Sequence, residues 1–445
     1  MTPPAAEQPT RARFITLGFL CTMSFILYLD RVCMAQAVKP IREEFNLTRE
    51  EMSYALMAFT LGYGLFQVPI GGWGDRFGVH RVLTGIVVFW SAFTALTAAC
   101  GWFTALTAAC SALVQLVVVR FLFGVSEAGA YPNAARVFAK WFPPGERGRV
   151  QGLMLACGLV GGSFSPLLVA LMIKYRGWRS PFLLFGIVGI VWAAAFYWWF
   201  RDDPAKHPRV NEAERSLIGG SGPPTPRSRL PWGEVVRNRT IGLLASIIVC
   251  TAFVSYVYFS WYSDYLQSAR GVEQVRSGQL TSLVLAGGAL GTIAGGFVVD
   301  FLTRRVANPN RARRLVCSAA MATSAGLLAL AIYVDSPLLS SVFSCLALFM
   351  AMSFQSTWWS TAIEVGGPHT GAIFGLMNGI GAFGAMGSQY FFGKYTDWRK
   401  AHGYIGRDQW DPAFWVCVAA LLVATVLWLG VDPRRRIGQR DEIKA

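Results

Sequence analysis

The sequence predicts an all-α membrane protein with twelve transmembrane helices in two six-helix bundles. Three observations predict it. Of 445 residues, 54% are hydrophobic and only 15% charged, more apolar surface than soluble domains of ordinary size can bury. Apolar stretches of near-spanning length recur at 14–38, 52–73, 82–103, 106–132, 149–173, 180–200, 240–266, 278–300, 313–334, 337–362, 370–393 and 412–431. Between the sixth and the seventh, residues 201–239 contain RDDPAKHPRV and GGSGPPTPRSRLPW, too polar and Pro-rich to span. They divide the chain into bundles 1–200 and 240–445 joined by a cytoplasmic linker.

The placement of charge sets an expected orientation. With both termini cytoplasmic, that side carries 26 Lys and Arg and the other side 12, the bias expected of a multi-pass inner-membrane protein. The net charge of +15 therefore reads as topology. No loop interleaves basic residues with aromatics as a nucleic-acid surface would. The nine cysteines fall in or at the ends of spans without a CxxC pair, so neither a disulfide framework nor a zinc site is expected. The four histidines, His80, His207, His369 and His402, stand in loops at no metal-ligand spacing and read as solvated. No P-loop, nucleophile elbow or HExxH occurs, so no enzyme is expected.

The first span follows Arg11 and Arg13, lacks a small-residue cleavage site and carries Asp30 and Arg31, so it reads as a retained helix. Tyr28, Asp30 and Arg31 lie toward one end of it. Adjacent residues diverge by about 100° around a helix, so Asp30 and Arg31 must face different neighbours. Thr48 and Glu51 form a capping box for the second helix. That helix ends in G-x-x-D-R-x-G-x-x-R, with Gly72, Asp75, Arg76, Gly78 and Arg81. The pattern puts a carboxylate at the helix end and arginines in a glycine turn, a latch that can hold neighbouring helix ends through charge-assisted hydrogen bonds. Residues 93–110 contain a direct duplication, FTALTAACGW followed by FTALTAACSA, with no functional reading.

In the fourth span Arg120 and Glu127 interrupt an apolar run seven residues apart, on one helix face and ~10 Å from each other. An ionisable side chain at that depth costs at least ~2.5 kcal/mol unless it faces a cavity or a partner. A static ion pair between helices is one reading; a functional site is the other.

The second half echoes the first at an offset of 223 to 225. Gly152-Leu153-Met154 recurs as Gly375-Leu376-Met377, and Gly71-Gly72 with Asp75 as Gly295-Gly296 with Asp300. Parallel repeats of this sort build alternating-access transporters. The second half has no charge within its spans to match Asp30, Arg31, Arg120 or Glu127; its polar residues are Ser, Thr, Gln and Asn, Asn378 among them. Gly371, Gly375 and Gly379, like Gly287, Gly291 and Gly295, follow small-xxx-small spacing and predict close helix packing.

YLDR, GGWGDRFG, RFLFGVSEAGAYPN with WFPPGERGR, and WWSTAIEVGGPHTGAIFGLMN together resemble the major facilitator superfamily. More narrowly they resemble its anion:cation symporters, which include bacterial sugar-acid transporters and the animal sialic-acid and glutamate vesicle carriers. The resemblance covers nearly the whole chain outside residues 1–12, the duplication and the linker. It implies proton-coupled symport of a small organic anion, such as hexuronate, galactonate, glucarate or another carboxylate, by alternating access. Carried over by position, it makes Arg31 the substrate-carboxylate arginine, Tyr28 and Tyr63 cavity aromatics, and Ser360 and Asn378 polar contacts. Asp30 and Glu127 become the protonatable pair with Arg120 as partner, and Asp75, Arg76 and Arg81 the gate. Protons are the coupling ion, with no other cofactor and no metal. A monomer in the lipid bilayer of a bacterial inner membrane is expected. Sugar-acid carriers have a glutamine in the fifth helix where this chain has Cys157 or its neighbour. The rival reading is a membrane receptor on the same scaffold that binds without transporting.

Overall fold

The computed structural model describes residues 8–101, 111–219, 231–303, 309–432 and 437; of the second copy of the duplication only Ser111 and Ala112 are among them. Twelve long helices run through the two halves. The first half holds α1 (Ala12–Phe45), α2 (Arg49–Phe77), α3 (Val79–Ala99), α4 (Ala112–Trp141), α5 (Pro144–Arg176) and α6 (Arg179–Trp199). The second holds α7 (Arg239–Ser260), α8 (Gln274–Thr303), α9 (Pro309–Tyr333), α10 (Pro337–Gly366), α11 (Thr370–Ala401) and α12 (Arg407–Leu429). Eleven of them are long and apolar enough to cross a membrane. The remaining expected span, 370–393, lies within the 32 residues of α11, about 48 Å at 1.5 Å per residue. The capping box is formed: Glu51 N–H donates to Thr48 Oγ1 at 3.1 Å, and Thr48 N–H to Glu51 Oε2 at 2.8 Å.

The packing repeats with a period of six helices. In the first half α1 packs on α5, α2 on α4 and α3 on α6; in the second α7 packs on α11, α8 on α10 and α9 on α12. The weak sequence echoes fall on these equivalents, in α5 with α11 and in α2 with α8. Even the breaks correspond, since α4 is interrupted at Ala128–Gly129 and α10 at Phe354. The halves meet along α2–α11 and α5–α8, which the same period interchanges.

Glycine permits the closest of these contacts, because a Cβ would strike the partner's backbone. Gly62 faces Phe121 O and Gly124 faces Phe59 O across α2–α4. Gly287, Gly291 and Gly295 stand against Cys345, Phe349 and Ser353 of α10, as their spacing predicts. Gly375 and Gly379 differ. Nothing lies within 4 Å of a Cβ on Gly379, and for Gly375 only Val68 Cγ2 does, at 3.9 Å; Gly371 falls among residues whose side-chain surroundings are not described.

Residues 8–11, 201–219, 231–238 and Ile437 share one face of the bundle, called here the terminal face. Residues 201–218 are docked on the first half rather than free. Glu214 is fully buried, accepting from Arg13 N–H at 3.2 Å and Arg13 Nη1 at 3.3 Å, with Asn211 bonded to Thr10. His207, expected to be solvated, is 3% exposed between the rings of Trp141 and Trp199. Burial lowers its affinity for a proton despite a hydrogen bond to Trp199 O. The correction has a physical reason: two tryptophans at helix ends offer an apolar slot that a neutral imidazole fills.

Candidate functional site

Near the middle of the bundle a cavity of about 120 Å³ lies between the halves, walled by Tyr28, Arg31, Phe59 and Arg120 of the first and by Tyr256, Ser260 and Gln389 of the second. Arg31 is sandwiched by aromatic rings, its guanidinium carbon 5.2 Å from the centre of Tyr28, 5.3 Å from Phe59 and 4.7 Å from Tyr63. Arg120 lies 5.0 Å from the same Phe59 ring and 4.7 Å from Phe123. Phe59 thus serves two cations, each held by the ring quadrupole in a site shielded from water.

The charges do not pair as the resemblance implies. Glu127, 1% exposed, is bonded through Oε1 to Arg31, whose Nε lies at 3.0 Å and whose Nη2 also donates. Its Oε2 is buried without a donor. Arg120 and Glu127 do share a face of α4, but Arg120 acts on Glu127 through its charge without a hydrogen bond between them. Arg31 reaches across from α1 instead. Arg120 is 3% exposed, makes no ion pair among the described residues, and has its Nε buried without an acceptor. Asp30, 1% exposed, makes no hydrogen bond of normal geometry at either carboxylate oxygen among the described residues, although the Trp90 indole stands beside it; Glu127 and Arg120 are its charged neighbours.

The two C-terminal contacts expected from the resemblance are not in this wall. Ser360 Oγ donates to Thr357 O at 3.0 Å within its own helix. Asn378 Nδ2 donates to Gln67 Oε1 at 2.7 Å, tying α11 to α2 at an exposed position. In their place stands Gln389, whose Oε1 accepts from Thr60 at 3.1 Å and whose Nε2 donates to Ser260 at 3.2 Å. Gln389 follows Asn378 by eleven residues, about three turns, so both lie on nearly one face of α11 at depths ~16 Å apart. Periodicity finds that face without choosing the depth. Tyr256 and Ser260 carried a fainter signal, an i,i+4 pair in the aromatic run SYVYFSWYS. On α5, Gly158 and Gly162 back onto Tyr28, where a Cβ would meet the ring at 2.8 and 3.2 Å. Cys157 beside them is half-buried.

The segment 72–81, which ends α2, turns at Gly78 and starts α3, binds within the first half. Arg136 of α4 grips Asp75 in a bidentate pair at 2.6 and 2.8 Å. Gly78, at φ +84°, leaves room for Asp202, which accepts from His80 N–H at 2.9 Å. Arg76 lies over Phe77 at 5.2 Å, and Arg81 is exposed at the start of α3.

Strong ties between the halves gather on the face opposite the termini. Asp264, in the short helix Tyr262–Ser268, accepts from Arg49 Nε at 2.9 Å and Arg42 Nη1 at 3.2 Å. Asp397 accepts from Glu50 N–H at 2.8 Å, and Ser263 donates to Gln36 at 2.8 Å. Burial alone would raise the proton affinity of Asp264, but Arg49 and Arg42 outweigh it and hold its carboxyl below the usual aspartate value. The tie is therefore at full strength above about pH 4 and is lost as pH falls through that lowered value. Asp264→Asn leaves two buried guanidiniums without their shared anion, a change of about 2–3 kcal/mol against this closed face. Spin labels on the exposed Glu43 and Lys400 are expected to report a wider, broader distance distribution in the variant; an unchanged distribution would show that packing alone keeps the face shut.

Residues 20–388 match the Major Facilitator Superfamily. The chain is 30% identical over 441 residues to the probable sulfoacetate transporter SauU of Cupriavidus necator, covering 98% of this chain and 97% of that one. It is also 30% identical to the probable galactarate/D-glucarate transporter GudP of Bacillus subtilis, over 87% and 86% of the two chains. Among solved structures it superposes on a bacterial homologue of the human lysosomal transporter Spinster with a TM-score of 0.75 at 17% identity, covering 96% and 98%. On the D-xylose-proton symporter the score is 0.72 at 15% identity, covering 94% and 96%. A match across most of the chain, a six-helix structural repeat and curated relatives that carry anions lead to one assignment: this multi-pass membrane protein is a transporter, not an enzyme, and belongs to the major facilitator superfamily.

Proposed function

We propose that the protein is a proton-coupled symporter of a short organic anion, with both chain ends on the cytoplasmic side of a bacterial inner membrane. The observation that carries this reading is Arg120. A buried guanidinium with no ion-pair partner costs several kcal/mol, and an anion entering the adjoining cavity offsets that cost. The site favours a carboxylate or sulfonate of few carbons over a six-carbon sugar acid, because the glycines on α5 that back onto Tyr28 add no polar group for a polyhydroxylated chain. The relative named for sulfoacetate supports the same size class. Two buried carboxylates, each with at least one unbonded oxygen, supply candidate proton sites. The basic bias toward the terminal face supports the orientation, which makes this conformation closed to the outside.

Purified protein in vesicles with an imposed inward-directed proton gradient is expected to accumulate sulfoacetate or a short dicarboxylate, and not glucarate. Accumulation of glucarate alone would overturn the preference for a short anion. Binding without accumulation would overturn symport.

A further inference from the structure

We propose that the cleft between α2 and α11 is a binding site for one acyl chain of a bilayer phospholipid. The cleft is a cavity of about 580 Å³, distinct from the anion site, and its walls include Leu61, Leu65, Val68, Leu376, Phe383 and Met386. No charged side chain lines it, and its one hydroxyl, on Thr60, is already committed to Gln389. An anion has nothing to bind there. Gly375 and Gly379 keep it open. Three other glycines of α11 have packing reasons to be glycine: Gly384 abuts Val249 O, Gly393 lies 2.6 Å from Arg49 O at the Cβ position, and Gly381 meets Ile248 at 3.2 Å. Gly375 and Gly379 have no such close neighbour, since a Cβ would meet only Val68 Cγ2 at 3.9 Å on the first and nothing within 4 Å on the second. What they provide is room.

The rim of the cleft identifies what fills that room. The rim residues Leu65, Val68 and Phe383 are 60%, 74% and 68% exposed on transmembrane helices, so the medium at the mouth is hydrocarbon. Trp232, 59% exposed on the short helix Trp232–Arg237, lines the cleft. Tryptophan favours the membrane interface, and the exposed Arg237 and Arg239 beside it are placed to meet a headgroup phosphate. A lipid with its head at these arginines and one chain along α11 satisfies both chemistries at once. Because α2–α11 is one of the two seams between the halves, a chain lodged there wedges the seam apart and favours the conformation closed at the Asp264 face.

The test uses the full chain in nanodiscs of phosphatidylcholine carrying a mid-chain diazirine, with adducts mapped by mass spectrometry. Adducts at 61–68 and 375–386 are expected to exceed those at the comparably exposed Val191 and Phe297 by roughly threefold or more. Gly379→Leu, which has space for its side chain, should abolish the excess while retaining the melting temperature. If that variant fails to fold, Gly375→Leu carries the same comparison. An excess that survives filling of the cleft, or adducts no denser there than at Val191 and Phe297, would overturn the site.

Discussion

Arg120→Lys is expected to reduce substrate affinity by about 100-fold, close to 2.7 kcal/mol, while keeping the positive charge and most of the melting temperature. Among the described residues Arg120 makes no ion pair, and Asp30 and Glu127 act on it only through their charge, so its guanidinium is available to an anion that enters the cavity. A guanidinium offers a planar fork that matches a carboxylate or sulfonate, and it stacks between Phe59 and Phe123; an ammonium reproduces neither. Arg31→Lys should behave differently. It weakens a pair with Glu127 that already exists, so its effect on affinity should be smaller and its effect on stability larger. Isothermal titration of both variants with the same anion separates the two roles. Equal losses would mean that the anion displaces Glu127 and binds both arginines, whereas an unaffected Arg120→Lys would remove Arg120 from the site.

Glu127→Gln should uncouple the transporter: exchange of substrate between compartments persists, and accumulation driven by a proton gradient falls to background. Glu127 is bonded to Arg31 and also feels the charge of Arg120. An arriving anion that draws Arg120, or Arg31 with it, toward itself leaves the buried carboxylate with less cationic support, and a proton then neutralises it. Protonation and substrate binding must favour each other by the same factor, because coupling free energy is reciprocal. A glutamine keeps the shape and a neutral amide in place of the protonated acid, so the cavity can load and reorient but carries no proton. Counterflow and proton-driven uptake measured in the same vesicles give the answer. Full accumulation in Glu127→Gln would reduce the pair to a static link between α1 and α4, and would shift the coupling to Asp30, whose two oxygens are unbonded.

The sequence by itself determined the scaffold and the chemical inventory. A run of about twenty apolar residues must hide its backbone polar groups within itself in lipid, so each such run is a helix whatever its neighbours. The helical character of the spans, the capping box at Thr48 and the packing glycines at 287, 291 and 295 followed from local composition and spacing alone. Asp30, Arg31, Arg120 and Glu127 were likewise legible, since ionisable groups inside apolar runs stand out against their background, whereas Tyr63 was singled out by the resemblance. Which of them touch was decided only in three dimensions. Spacing along one helix placed Arg120 and Glu127 on a common face, but a bond needs ~3 Å and not a shared face; α1 crossing α4 gave Glu127 to Arg31 and left Arg120 open. The second half's wall was hidden for the same reason. Ser360, Asn378 and Gln389 are comparable polar residues in comparable helices, and only the depth at which α11 meets α2 sets Gln389 beside the cavity and Asn378 at the exposed seam. The tie of Asp264 to Arg42 and Arg49 joins residues more than two hundred positions apart, so no local pattern could announce it; the closure of one face of the bundle is a property of how the two repeats lean on each other.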